Sequence, residues 1–285
     1  MGEDPVNVIT LVHGRSDHLA NLILGLESSS LIPQGLWIVH MNEPPGELSS
    51  RLFPINTLQV DELNGLPLAR ARNSVIKIDP TAPWVFLDVD CIPAHDLLAH
   101  YCDGLQAQPE ALHMGQVRYL PEGANRSGWE ETTLYAQGVE HPLARFRNGP
   151  GSPLPHHLFW SLNFACRGST FARIGGFDEG YQGYGGEDTD FAFRARSEGV
   201  PLLDNPAMAF HQYHHTYDPP LNHFADIVAN ARRFHSRWGK WPMEGWLRAF
   251  CEQGLLHWSD ERLEIIQAPS AERVAQALNT KRLGF

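Results

Sequence analysis

Trp84-Val85-Phe86-Leu87-Asp88-Val89-Asp90 runs four apolar residues straight into two carboxylates. Such a run, flanked by Pro80 and Pro83, predicts a buried strand. Side chains alternate along an extended chain, so Asp88 and Asp90 share a face. Two like charges this close are costly unless a cation sits beside them. In an open parallel sheet, ligands collect outside the carboxyl ends of strands. A metal–diphosphate role is therefore the sharp interpretation of this strand end, against the bland one of a solvated turn.

Working outward, Val6–Val12, Leu36–His40 and Ile55–Val60 carry the same apolar, β-branched look. Helical patterns separate them, from His18 to Leu26 and from Leu68 to Ile78, the second stopped by Asp79-Pro80. This alternation predicts an α/β fold, a mostly parallel central sheet flanked by helices. Residues 121–157 read as an irregular insertion, a source of a loop over an acceptor. Order returns with a strand over Phe159–Cys166, a helix over Ser169–Ile174, and short strands at Pro201–Asp204 and Ala207–His211. From Asn222 the pattern is helical, interrupted at Gly239 and Pro242. The expected organisation is a catalytic domain over 1–215 and a C-terminal helical extension over 216–285.

Tyr184-Gly185-Gly186-Glu187-Asp188-Thr189-Asp190 places three carboxylates just after paired glycines, at the start of a helix stopped by Gly199. Free N–H groups and the helix dipole favour ionised carboxylates there. Gly186 allows a tight turn and the close approach of another molecule. An ordinary acidic cap is the alternative. Met208-Ala209-Phe210-His211 opens the polar cluster His211-Gln212-Tyr213-His214-His215. A site mixing carboxylate, imidazole and thioether is softer than magnesium prefers, which makes manganese the expected ion and magnesium the second choice.

The net charge of -11 argues against a nucleic-acid surface or an anionic membrane as the main partner. The four cysteines lack paired spacing, which suggests a reducing, cytoplasmic setting. Met1–Pro5 has neither the basic nor the apolar part of a leader, and no run reaches the length of a membrane span, so only peripheral membrane contact is left open.

With these motifs in place, the chain resembles a GT-A-fold glycosyltransferase. Its first half has family-2-like features and its second half is similar to the C-terminal region of the β-1,4-galactosyltransferase family. That family carries R-x-x-H-L, D-x-D, W-G-G-E-D-D-D and M-x-x-H; here Arg15-Ser16-Asp17-His18-Leu19, Asp88-Val89-Asp90, Tyr184–Asp190 and Met208–His211 follow in the same order. The resemblance implies that Asp90, His211 and Met208 are metal ligands, and that Asp88 lies near the ribose or the metal. It implies that Arg15 faces the diphosphate, Asp188 is the base and Glu187 orients donor or acceptor. Tyr184 stands where the family has a tryptophan on a loop closing over the donor. Leu68-Ala69-Arg70-Ala71-Arg72-Asn73 resembles the family-2 L-A-x-A-R-N helix, which brings Arg72 toward the nucleotide. Thr189 replaces a family aspartate that contacts the acceptor, so the family's N-acetylglucosamine acceptor does not carry over.

The implied reaction is inverting transfer of a hexose, galactose or N-acetylgalactosamine first, from a UDP-sugar to a hydroxyl on a glycan or glycolipid. An ordinary carboxylate, with pKa about 4, suffices as base only because the hydroxyl turns acidic as it bonds to carbon. The alternatives are a sugar-1-phosphate nucleotidylyltransferase, a zinc hydrolase and a non-catalytic nucleotide-sugar or carbohydrate binder. The first calls for a richer phosphate loop than His13-Gly14-Arg15, and the second for an H-E-x-x-H pattern that is absent here. The third has no use for a base at 188. Trp238, Trp241, Trp246 and Trp258 read as the core of the C-terminal segment or as an acceptor platform. Arg232, Arg233, Arg237 and Lys240 read as a solvated face or an anion contact.

Overall fold

The structure, a computed structural model, describes residues 6–279 except 64 and 127, so the leader expectation at Met1–Pro5 lies outside the described residues. The first part of the chain supplies β1 (Asn7–Val12), α1 (Ser16–Glu27), β2 (Gly35–Met41), β3 (Ile55–Val60), α2 (Leu68–Arg72) and α3 (Ser74–Ile78). Next come β4 (Pro83–Leu87), β5 (Cys91–Pro93), α4 (Leu97–Ala107), β6 (Leu112–Tyr119), α5 (Glu131–Gln137) and β7 (Val139–Glu140). The second part adds β8 (Asn163–Arg167), α6 (Gly168–Ile174), α7 (Glu187–Ser197), β9 (Leu202–His211), α8 (Phe224–Trp238) and α9 (Glu244–Glu252).

Nine strands form one sheet in the order β3-β2-β1-β4-β8-β6-β9-β5, with β7 alongside β6. β1 to β4 pair in parallel, β8 enters antiparallel between β4 and β6, and β6 and β9 pair in parallel. The shared direction of β1–β4, β6 and β9 makes the sheet predominantly parallel in sense. Every residue of β1 is buried because the sheet is covered on both faces. Val8, Val12, Ile38 and Leu87 face α1 and α4, whereas Ile9, Val39, Trp84 and Phe86 face an aromatic layer of Phe164, Phe171, Phe177 and Phe191. In that layer Phe86 stacks on Phe164 at 4.3 Å and Phe177 on Phe191 at 4.3 Å, which fixes α7 against the end of β4.

Four local expectations are corrected. The helix expected over Leu68–Ile78 is two short helices joined at Asn73, whose side chain binds the Phe177 N–H (2.7 Å) and carbonyl (2.9 Å) instead of facing solvent. The strand expected from Phe159 begins only at Asn163. The two short strands near the end are one strand, β9, because the register shift opposite Gly115 takes up the irregularity between 204 and 208. The insertion over 121–157 is not irregular throughout: it contains α5, β7 and a 3-10 turn at Pro142–Phe146.

Beyond β9, α8 and α9 build a separate cluster around Leu221, Phe224, Ile227, Leu247 and Phe250. The segment is not purely helical. Leu256–Trp258 pairs with Leu263–Ile265, and Thr216–Tyr217 with Leu278–Asn279. Among the described residues no helix is long and apolar enough to cross a membrane. Cys91, Cys102, Cys166 and Cys251 are all free thiols.

Candidate metal centre and base

β4 ends at Leu87, the chain turns through Asp88 and Asp90, and the short β5 then pairs with the end of β9, setting Cys91 opposite His211. This pairing carries the Asp90 carboxylate to the imidazole of His211. With His214 they offer three ligand atoms all within 4.8 Å of one another. His214 Nε2 lies 3.3 Å from Asp90 Oδ2, and the rings of His211 and His214 are 5.2 Å apart. The other Asp90 oxygen is held by His18 Nδ1, with Arg15 Nε at 3.5 Å. Burial pushes Asp90 up, yet the His18 hydrogen bond and the charges of His211, His214 and Arg15 bring it down to about 2. Burial lowers His211 to about 4 against the pull of Asp90, so its imidazole is neutral at pH 7. One carboxylate and two imidazoles at the carboxyl end of a strand, Asp90 and His211 buried and His214 half-buried, are a donor set for a first-row divalent cation.

The second half of the site lies on α7. Gly186 caps this helix with φ of 91°, and a Cβ there would stand 3.2 Å from the Tyr181 ring, so the turn that presents Glu187 and Asp188 needs glycine. Glu187 is buried and pairs with Arg72 of α2 at 3.2 Å; the Arg72 guanidinium also lies over the Phe177 ring at 5.1 Å. Asp188 accepts the Thr189 N–H at 2.7 Å. Burial and the neighbouring Glu187 push Asp188 up to about 7, with Arg72 opposing. That is well above the ordinary carboxylate expected from the sequence. Asp88 is pushed up to about 6 by burial and by Asp90, again opposed by Arg72 and then Arg15. The charge of Arg72, paired with Glu187, thus acts on both Asp88 and Asp188. Burial raises the Tyr184 phenol, and Glu187, Asp188 and Asp88 raise it further, which puts that side chain within electrostatic reach of all three.

Tyr184 is 41% exposed and its ring stacks on His223 at 4.5 Å, with Trp246 at 5.7 Å. Gly183, just before it, packs so closely on α8 that any side chain would run into the Asp226 carboxylate. The Tyr184 N–H donates to Asp226 (3.3 Å) and its carbonyl accepts from Asn230 (3.2 Å). The loop leading into Asp188 is therefore seated on the C-terminal segment.

Other residues singled out in the sequence sit elsewhere. Met208 is three positions from His211, an odd offset along β9, and faces the opposite side of the strand. It lines a cavity of about 140 Å³ with Met114, Gln116, His141 and Trp160. Asp190, third of the clustered carboxylates, is fully buried and accepts from Arg194 (2.8 Å) and the Trp238 indole (2.8 Å), so it ties α7 to α8. Arg233 and Arg237 pair with Asp178, and Arg232 donates to the Leu263 carbonyl, which binds most of that basic run into the protein. His18 and His214 are the residues that sequence reasoning left without a role. Both were visible, in Arg15-x-x-His18-Leu19 and in His211-x-x-His214, but only the fold shows that they meet at Asp90.

Residues 141–219 match a family described as the N-terminal domain of galactosyltransferase. A stretch of 49 residues is 41% identical to validoxylamine A glucosyltransferase of Streptomyces hygroscopicus subsp. jinggangensis (strain 5008), covering 17% of this chain and 12% of that enzyme. The chain thus spans about an eighth of the length of the curated relatives it matches. Among solved structures, GalNAc-T7 with UDP, GalNAc and Mn2+ superposes with a TM-score of 0.53 at 16% identity, over 74% of this chain and 44% of that one. S. aureus TarS 1-349 in complex with UDP gives 0.54 at 12% identity, over 87% and 72%. At these identities the likeness is one of architecture. The chain has the GT-A fold, the nucleotide-diphospho-sugar transferase fold of these glycosyltransferases.

Proposed function

We propose that this protein is an inverting, metal-dependent glycosyltransferase, moving a hexose from a UDP-sugar to a hydroxyl of a glycan or glycolipid. One observation carries this reading: the Asp90, His211 and His214 donor cluster stands beside Asp88, and the charge of Arg72 acts both on Asp88 and on Asp188, whose carboxylate is raised to about 7. The family match over 141–219 and the UDP-bound neighbours support the class of donor. Galactose or N-acetylgalactosamine is the preferred sugar. The catalytic unit is taken as 1–215 with an extension from 216, working in a reducing compartment in keeping with the free thiols.

The donor set fits a divalent ion. Asp90, His211 and His214 would hold it, and two nitrogens beside one oxygen favour manganese over magnesium. When bound, such an ion supplies Lewis-acid stabilisation of the departing diphosphate. The remaining work belongs to side chains of this chain. Arg15, half-buried at the rim, offers its guanidinium to the diphosphate side. Asp188 takes the proton of the attacking hydroxyl, and a pKa near the working pH suits a general base better than an ordinary carboxylate would. Glu187, held by Arg72, orients the sugar, and the Tyr184 ring shields the donor from water.

The test is a panel of nucleotide sugars incubated with manganese, magnesium or chelator, detecting released nucleoside diphosphate. Metal-dependent release from a UDP-sugar is expected. Pyrophosphate instead would indicate a nucleotidylyltransferase, and binding without turnover a non-catalytic role.

A further inference from the structure

Gln212 follows His211 directly and is completely buried, yet it is the most heavily bonded side chain near the Asp90 cluster. Its backbone N–H donates to the Asp90 carbonyl at 2.6 Å. Its Oε1 accepts from Asn21 of α1 (2.8 Å) and from Asn125 (2.8 Å). Its Nε2 donates to the His18 carbonyl (3.0 Å) and more weakly to the Val89 carbonyl (3.4 Å). Asn21 is itself fixed by the Trp129 indole (3.1 Å) and by the Asn125 carbonyl (3.2 Å). From the end of β9, one amide therefore reaches three other chain segments: the Asp88–Asp90 turn, the α1 segment with His18 and the loop at Asn125.

We infer that Gln212 is a positioning residue that assembles the metal centre, locking Asp90, His18 and His211 into one geometry. This inference rests on the proposed metal-dependent function. A primary amide suits the task because it donates and accepts at once without bringing a charge beside Asp90. No other uncharged side chain of similar length offers both. A buried amide with its partners satisfied specifies one arrangement, and the same amide half-satisfied is costly, so the network is all-or-none. The amide holds the backbone next to Asp90 and that of His18, whose ring holds the Asp90 carboxylate, and loss of such outer support typically costs about 10- to 100-fold in metal affinity.

The experiment measures Mn2+ affinity of the full chain by calorimetry without nucleotide, so that turnover plays no part in the readout. Gln212→Leu removes every side-chain hydrogen bond, and Gln212→Glu keeps the acceptor while losing the donor. Asn205→Ala is the control: its buried amide bonds the His100 carbonyl and the Ala207 N–H, away from Asp90. The expected result is Mn2+ binding weakened about 10- to 100-fold in Gln212→Leu and weakened also in Gln212→Glu, whose carboxylate would face the His18 and Val89 carbonyls, with Asn205→Ala within about twofold of wild type despite a lowered melting temperature. Should Gln212→Leu not fold, Gln212→Glu and Asn125→Ala are compared with the same control. Wild-type affinity in the Gln212 variants, or an equal loss in Asn205→Ala, overturns the positioning role. Absence of Mn2+ binding by the wild type would instead overturn the proposed function itself.

Discussion

The rate should climb with pH between 6 and 8, and Asp188 is the reason. A base works only as the carboxylate. With its pKa pushed up to about 7 by burial and by Glu187, Asp188 is about one-eleventh ionised at pH 6 and about ten-elevenths at pH 8. The rate limited by proton removal should therefore rise about tenfold over that interval, where an ordinary carboxylate would give none. The neighbours fix how the limb moves. Glu187→Gln removes the negative charge that raises Asp188 and frees Arg72 to attract it, so the limb shifts to lower pH. Arg72→Ala removes the opposing cation and shifts it higher. Asp88 titrates at about 6, so a limb governed by Asp88 would lie to the acid side. The assay is kcat/KM for the donor against pH, which reports the groups of the free enzyme, for the wild type, Glu187→Gln, Arg72→Ala and Asp188→Asn. Asp188→Asn should lose about 10²–10⁴ in rate. A wild-type profile flat from pH 6 to 8, or one unmoved by Glu187→Gln, would refute the assignment of the base.

Other outcomes are specific to single side chains. Asp90→Ala should bind UDP equally well with manganese or with chelator, measured by calorimetry, because the oxygen central to the donor cluster is gone. His214→Ala should raise the manganese concentration needed for half-maximal activity about 10- to 100-fold, as loss of a ligand or its close support does, whereas Met208→Leu should leave it within about twofold. Trp238→Phe removes one of the hydrogen bonds that satisfy fully buried Asp190 and should destabilise the chain by about 1–3 kcal/mol in urea unfolding.

Much of the frame was legible in the sequence because strands buried on both faces betray themselves by unbroken apolar runs, as at Val8–Val12 and Trp84–Leu87. What the sequence could not separate shares a cause. Met208 suggested a ligand through its spacing from His211, but strand alternation, once β9 is seen as continuous, turns it away. Asp190 looks like its neighbours Glu187 and Asp188 in a one-dimensional string. Only packing against α8 reveals an anchor for Trp238 in place of a reactive group. The raised pKa of Asp188 was equally invisible, since it depends on how deeply α7 is set beside the Arg72–Glu187 pair. His18 and Asp90 are 72 positions apart, and no local pattern announces that they share a hydrogen bond.

The close seat of Gly183 on Asp226, with Tyr184 stacked on His223 and Trp246, bears on how this protein can be dissected. Shortening the chain at residue 215 would retain each group named for chemistry, yet strip the scaffolding from under the turn that aims Asp188. Such a fragment could keep its cation pocket and lose its base. Residues 216–279 are on that account less an accessory than half of the mould in which Asp188 is set.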